Sequence, residues 1–428
     1  MILDRTISPN FKTIDEVNIA SIQTIVLANG IPLHIVNVGE QPVMKLEVSF
    51  EAGGWFDYPN NGVSHFTAKM LSEGTANHSS SKISEFFDLF GAFTEFGHGL
   101  DRANVVVYGL TKHLSSLLPM ILEIINESVF PQRELDNLKN ISLQTLKVNL
   151  EKNAFVANQV FRKDVFGAQH PYGNSLRAED IQSINRDDLI KFYNNRWKNQ
   201  PCRIFLSGKI SDAEIKLIET FFGNHQIAKS DISSKVLPET DYNSQDKILV
   251  EKENAVQSSI RMGRKLFKRS HPDYFKMLLL NETLGGYFGS RLMKNIREEK
   301  GFTYGISSNV APFARDGYFI IGTDVKKEFT QQTIDEIYKE IKKLQTELVS
   351  ESELETVKNY MIGAFAGSLN TPFEIIDRYK VILGEDLPLD FYQNYISNIR
   401  QVSAPEILEM ANQYLSEGSL LEVVVGGK

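Results

Sequence analysis

"INRDDLIKFYNNRWKNQPCRIFLSGKI", residues 184–210, reads as a capped amphipathic helix that runs into an apolar strand ending on glycine. Asn185 stands where an N-cap belongs, because its side-chain oxygen can accept a backbone N–H that the first helical turn leaves unpaired. The same pattern closes the chain. "VSAPEILEMANQYLSEGSLLEVVVGGK", residues 402–428, offers Ser403 as the cap, an apolar face of Ile407, Met410 and Ala411, and a strand over 420–425. The two caps stand 218 residues apart in a chain of 428, so the sequence reads as one domain written twice.

Each half carries matching elements around that repeat. "VMKLEVSFEAG" (43–53) alternates as a strand and "RANVVVYGL" (102–110) is a second; "SSIRMGRKLF" (258–267) and "GYFIIGTDV" (317–325) take those places in the other half. Helical periodicity is strongest through Ile334, Ile337, Ile341, Leu344 and Leu348, and Ser350 and Glu353 beyond it have the spacing of a capping box. The charged "KEIKKLQTE" (339–347) is expected to form that helix's solvated face. The polar, turn-rich stretch 223–246 reads as a linker between a domain at 1–222 and a second at 247–428. The expected fold class is α+β: two homologous repeated domains, each a mixed, mainly antiparallel β-sheet packed against helices.

With 42% apolar and 10% aromatic residues, the chain can bury two substantial cores. A formal net charge of −8 and the lack of basic clusters argue against a nucleic-acid groove. Cys202 is the single cysteine, which excludes an intramolecular disulfide and a cysteine-based metal cage. No apolar run reaches the roughly eighteen residues of a membrane span, and the N-terminus has no secretory pattern. The chain therefore reads as cytoplasmic, although one trimmed of a periplasmic leader would read the same.

The chemistry sits at 62–75, "GVSHFTAKMLSEGT". A zinc hydrolase needs imidazoles at i and i+4 on one helix face, with a carboxylate beside them to activate the metal-bound water. This stretch resembles the inverted zinc motif, His-x-x-Glu-His, of the pitrilysin-type metallopeptidases, the family of the mitochondrial processing peptidases, and the resemblance spans essentially the whole chain. It implies that His65 keeps the first ligand position, that Ala68 replaces the general-base Glu, and that Lys69 replaces the second ligand. The family's third ligand falls on Thr145 and a further Glu position on Leu138, seven residues earlier on the same helix face. No zinc is expected on this chain, since one imidazole cannot hold the metal and the Lys69 ammonium would repel it. None of the eight histidines pairs with another at i and i+4; His78 and His98 share the half that holds His65 and leave a rearranged site open.

The second half is more informative. "NETLGGYFGSRLMKNIREEKGFTYGISSNV" (281–310) resembles the family's second-domain signature: a glycine loop, Ser-Arg-Leu, then Arg-Glu-x-x-Gly-x-x-Tyr. The resemblance implies that Arg297 and Tyr304 bind substrate, the guanidinium at a peptide carbonyl or carboxylate and the hydroxyl at a developing oxyanion. Taken alone, Arg297 would be expected to pair with a neighbouring acid and Tyr304 to lie in the core. Gly285 and Gly286 correspond to a shortened form of the substrate loop of the family's non-catalytic subunits. One departure lies at 89–105, where Glu95 and Phe96 occupy the place of the family's strand-edge Asn-Ala.

These readings lead to one expectation: a non-catalytic subunit of a heterodimeric zinc metallopeptidase. Such a chain would present Arg297 and Tyr304 to the active site of a zinc-bearing partner and share an extended peptide substrate with it. When isolated, it could dimerise with itself through the same face. A non-enzymatic peptide-binding or assembly protein with a peptidase fold remains the alternative, and a lone peptidase with unconventional ligands a third.

Overall fold

The strand read at 43–53 is buried along almost its whole length, although its sequence alternates apolar with polar. A computed structural model describes residue 6 and residues 13–227, 246–416 and 418–427. Residues 228–245, most of the expected linker, lie outside the described residues. The first sheet is built from β1 (Gln23–Val26), β2 (Pro32–Asn37), β3 (Val43–Phe50), β4 (Phe93–His98), β5 (Ala103–Leu110) and β6 (Cys202–Gly208), in the order β1-β2-β6-β3-β5-β4. The second holds β7 (Lys247–Glu251), β8 (Gln257–Leu266), β9 (Thr303–Pro312), β10 (Gly317–Lys326) and β11 (Leu421–Gly426), in the order β7-β11-β8-β10-β9.

The path β2-β6-β3-β5-β4 repeats as β7-β11-β8-β10-β9, and the senses repeat too. β2 with β6 and β7 with β11 are parallel, and the other pairs are antiparallel. The duplication read from the two caps thus has its counterpart in the topology, and the fold is the expected two-domain α+β arrangement of mixed sheets and helices. Both caps form. Asn185 Oδ1 accepts from Asp188 N at 3.1 Å while the Asp188 carboxylate takes the Asn185 N–H. Ser403 donates both N–H and Oγ–H to Glu406, at 2.9 and 2.8 Å.

The two halves hold each other by an exchange of helices. Helices Asn153–Phe166 and Pro372–Gly384 begin 219 residues apart, so they are copies of one element. The first lies across β8 and β11 of the second sheet; the second lies across β2 and β6 of the first. On β3, Met44, Leu46, Val48 and Phe50 enter the first domain's core, leaving Lys45 and Glu47 on the opposite face. That polar face is covered. Lys45 Nζ reaches Asp377 at 2.6 Å and Lys380 Nζ reaches Glu47 at 2.9 Å, both partners coming from the exchanged helix. Glu47 also accepts from Asn104 Nδ2 at 2.6 Å, so its buried charge has three cationic or amide donors around it. In the reciprocal contact Phe161 and Val165 pack with Leu421, Val423 and Val425 of β11, and the Phe161 ring meets that of Tyr318.

Three expectations for the second half fail in detail. The helix Thr330–Thr346 stops before Leu348, which is 58% exposed and adds nothing to the apolar face. Glu340, in the stretch expected to be solvated, is buried and accepts from Asn295 Nδ2 and Lys343 Nζ, each at 2.7 Å. The capping box at Ser350 is half made. Ser350 Oγ accepts from Glu353 N, but the Glu353 carboxylate is drawn to Arg291 in a two-pronged ion pair at 2.9 and 2.8 Å.

Replacing one member of a buried ion network leaves its partners unpaired in low dielectric, which costs about 3–5 kcal/mol. Glu47→Ala should therefore lower the unfolding free energy measured in urea by that order, although Glu47 belongs to a strand and its main partner to a helix of the other half. A loss within about 0.5 kcal/mol, the range of an ordinary surface substitution, would mean that the exchanged helix is not held through this contact.

Candidate functional site

The helix Val63–Met70 carries the degenerate motif, and its first turn is fixed by Asp57. Asp57 Oδ2 accepts from Gly62 N at 2.9 Å and Oδ1 from Ser64 N at 2.8 Å. Gly62 adopts a left-handed φ of 89°, which glycine takes without a Cβ clash. Burial pushes the Asp57 carboxyl up to about 6 in spite of the hydrogen bonds from Ser64 and Gly62 that favour its charge.

One turn on, His65 faces a cleft of about 660 Å³ whose lining also includes His98, Thr145, Asn149, Asn158 and Arg162. The rings of His65 and His98 meet edge to face at 5.4 Å, and His98 Nε2 shares a hydrogen bond with Ser64 Oγ at 2.7 Å. Burial holds His98 down to about 4, with the His65 ring and the Lys69 ammonium acting in the same direction. His65 is lowered by burial first and Lys69 second. The structure therefore brings His65 and Thr145 to one cleft and adds His98. His78 is not part of it; its Nδ1 is engaged by Glu123 at 2.8 Å.

Ala68 is fully buried in the first core, Leu138 packs against that core, and Lys69 is exposed. The donor set does not fit a zinc ion. A tetrahedral site needs three protein ligands, whereas this one offers His65, a histidine already tied to Ser64, and a neutral hydroxyl at Thr145. Lys69 adds a positive charge close enough to depress both imidazoles. Among the described residues no group of three His, Cys, Asp or Glu side chains is placed to hold a metal.

Of the residues read from the second half, Tyr304 lines a groove that adjoins this cleft. A groove of about 610 Å³ is lined by Tyr304, Arg261, Asn309 and Asp324, and Asn158 and Arg162 line both cavities. The exchanged helix Asn153–Phe166 is thus their shared wall. Tyr304 is 93% exposed, so it is no core residue. The Arg297 guanidinium lies 4.6 Å from the Phe288 ring centre and 5.8 Å from that of Tyr304, a cation–π stack where an acid partner would be the ordinary arrangement. Gly285 and Gly286 do not form an open loop. They end the π-helical turn Glu282–Gly286, and a Cβ on buried Gly285 would stand 2.7 Å from Ser308 N and Oγ, so this glycine serves close packing against β9. Phe288 is the exposed residue of the segment.

Glu95 and Phe96 lie on β4, the edge strand of the first sheet. Glu95 points to solvent and Phe96 packs on the first core, so the Asn-Ala side chains are absent although the strand edge persists. Sequence reasoning missed Asp57, Ser64, Asn158 and Arg162. Only Asp57, shortly before a helix start, carried a local signal.

Among the described residues no helix is long and apolar enough to cross a membrane. Residues 36–178 match the model of insulinase, peptidase family M16, and residues 183–361 that of the peptidase M16 inactive domain. An uncharacterized zinc protease, YmxG, of Bacillus subtilis is 25% identical over 92% of this chain and 96% of its own length. A Helicobacter pylori protein described as a non-peptidase homolog, YmxG, is 22% identical over 90% of each chain. The crystal structure of a peptidase M16 inactive domain from Pseudomonas fluorescens superposes with a TM-score of 0.85 at 23% identity, covering 95% of this chain and 98% of that one. The two family models together with the gutted ligand set make this chain a non-catalytic member of peptidase family M16.

Proposed function

We propose that this chain is the non-catalytic subunit of a heterodimeric zinc peptidase and that it helps to hold and polarise an extended peptide bound at a partner's site. The observation that carries the reading is the contrast between the two halves. The positions of the zinc ligands and their supporting carboxylates present Lys69, Thr145, Ala68 and Leu138, while Arg297 and Tyr304 stand stacked, the phenol open to solvent. The phenol is 93% exposed, and its neighbouring guanidinium has no acid partner among the described residues. Together they offer hydrogen-bond donors for a peptide carbonyl and for the oxyanion that develops on it. The metal and its water would belong to the partner, and so would the general base.

A second reading, a peptide-binding or assembly protein without enzymatic function, is supported by the two adjoining cavities in this chain alone. The cleft is lined by Asn149, Gln159 and Asn174, whose amide nitrogens can donate to peptide backbone. Purification of the native protein from its own cells, with identification of what accompanies it and a metal assay, separates the two. A zinc-bearing chain in one-to-one ratio is expected; recovery of this chain alone and metal-free would reject the heterodimer.

In the reconstituted complex, Arg297→Ala and Tyr304→Phe should each lower kcat/KM by roughly ten- to a thousandfold, the range for removing one oxyanion donor. Unchanged rates from both would remove the substrate-binding role. Installing Ala68→Glu with Lys69→His in the isolated chain should give no peptidase activity and no stoichiometric zinc, because Thr145 still supplies no third ligand. Zinc bound by that variant would mean that the cleft supplies a third ligand after all, His98 being the imidazole beside His65.

A further inference from the structure

Arg162 is a partly buried cation that no carboxylate among the described residues answers. Its Nε donates to the carbonyl of Tyr172 at 2.8 Å. No carboxylate among the described residues comes within ion-pair distance of it, and burial holds its pKa below the ordinary arginine range. A guanidinium carries five N–H donors, so the single bond to Tyr172 leaves most of its capacity free. Arg261, its neighbour across the groove, shows the ordinary solution. Its Nε donates to Asn158 Oδ1 at 2.7 Å, Nη1 donates to the carbonyls of Ile260 and Thr323, and Asp324 lies 3.6 Å away.

The cavities around Arg162 are poor in balancing acids. In the cleft the acidic side chain is Asp57, and both its oxygens are taken by the N–H groups of Gly62 and Ser64. In the groove it is Asp324, which accepts from Ser259 and faces Arg261. Ala68, Leu138 and Thr145 bring no carboxylate, and Lys69 adds a further positive charge beside His65 and His98. Buried charges are ordinarily paired, and a planar guanidinium matches a carboxylate with two parallel hydrogen bonds.

We propose that Arg162 receives a carboxylate of the bound peptide, so that the joined cavities select acidic peptides, or peptide C-termini, over neutral chain. This rests on the reading that the cavities hold an extended peptide. Arg162 is thereby a specificity-determining residue, placed on the exchanged helix where both cavities meet.

The test is fluorescence anisotropy with the full chain and three labelled peptides of one neutral Gly/Ser/Ala/Val sequence. The first has a central Glu and an amidated end, the second a central Gln and a free C-terminal carboxylate, the third a central Gln and an amidated end. The expected result is binding of the first or second about tenfold or more tighter than the third, the better of the two naming the source of the carboxylate. Arg162→Gln should bring all three to the affinity of the third, and Arg162→Lys should restore part of the preference, since it keeps the charge and loses the fork. A thermal melt separates specificity from structure: removing an uncompensated, partly buried charge should leave the midpoint unchanged or raise it. Equal binding of the three peptides by the native chain, or an unaltered preference in Arg162→Gln, overturns the proposal and leaves peptide binding intact. Absence of binding by any of the three rejects both.

Discussion

The exchange of two related helices is the constraint on which the rest of this molecule depends. A sheet whose residues alternate must cover both faces or leave one to water. Here each sheet is covered on one face by helices of its own half and on the other by a helix of its copy. That arrangement explains why Lys45 and Glu47 can sit in the interior, because Asp377 and Lys380 arrive with the exchanged helix. It also places Asn158 and Arg162 between the halves, at the wall that both cavities share. The site is a product of the duplication as much as of the motif.

The same arrangement separates the protein's lost chemistry from its retained surface. At Val63–Met70 and the helix facing it, every departure acts against a metal: Ala68 offers no donor, Lys69 repels a cation, and Thr145 brings no charge. The helix start has meanwhile been kept in good order by Asp57, and His98 has found Ser64. The cleft therefore remains a shaped, hydrogen-bonding space with neutral imidazoles and a cationic tendency. A binding surface can persist after catalysis has gone, because shape and amide donors do not need the metal.

The topology was legible because repetition is visible at long range. The caps at Asn185 and Ser403 and the strands that follow them announced two copies, and both caps close as their spacing requires. The motif residues were legible one by one, and His65 and Thr145 do line one cleft. What the sequence hid were contacts between distant segments. The alternation of β3 named a strand but not what covers its polar face, since nothing local reveals that Asp377 lies against Lys45. Glu340 belonged to a charged run until Asn295 claimed it. Gly285 looked like loop because the close approach of Ser308 is a tertiary fact. Arg162 carried no motif at all; its meaning comes from having no described acid near it, and that is a property of a neighbourhood.

The reciprocal covering of the sheets has a consequence for how the gene can vary. Two copies that traded helices have become mutually obligate, so neither half can be deleted, transplanted or expressed by itself without uncovering a sheet face that carries paired lysines and glutamates or a strip of aromatic rings. A substitution that empties one side of the clasp uncovers a face of the other half as well, so damage there is felt across both domains.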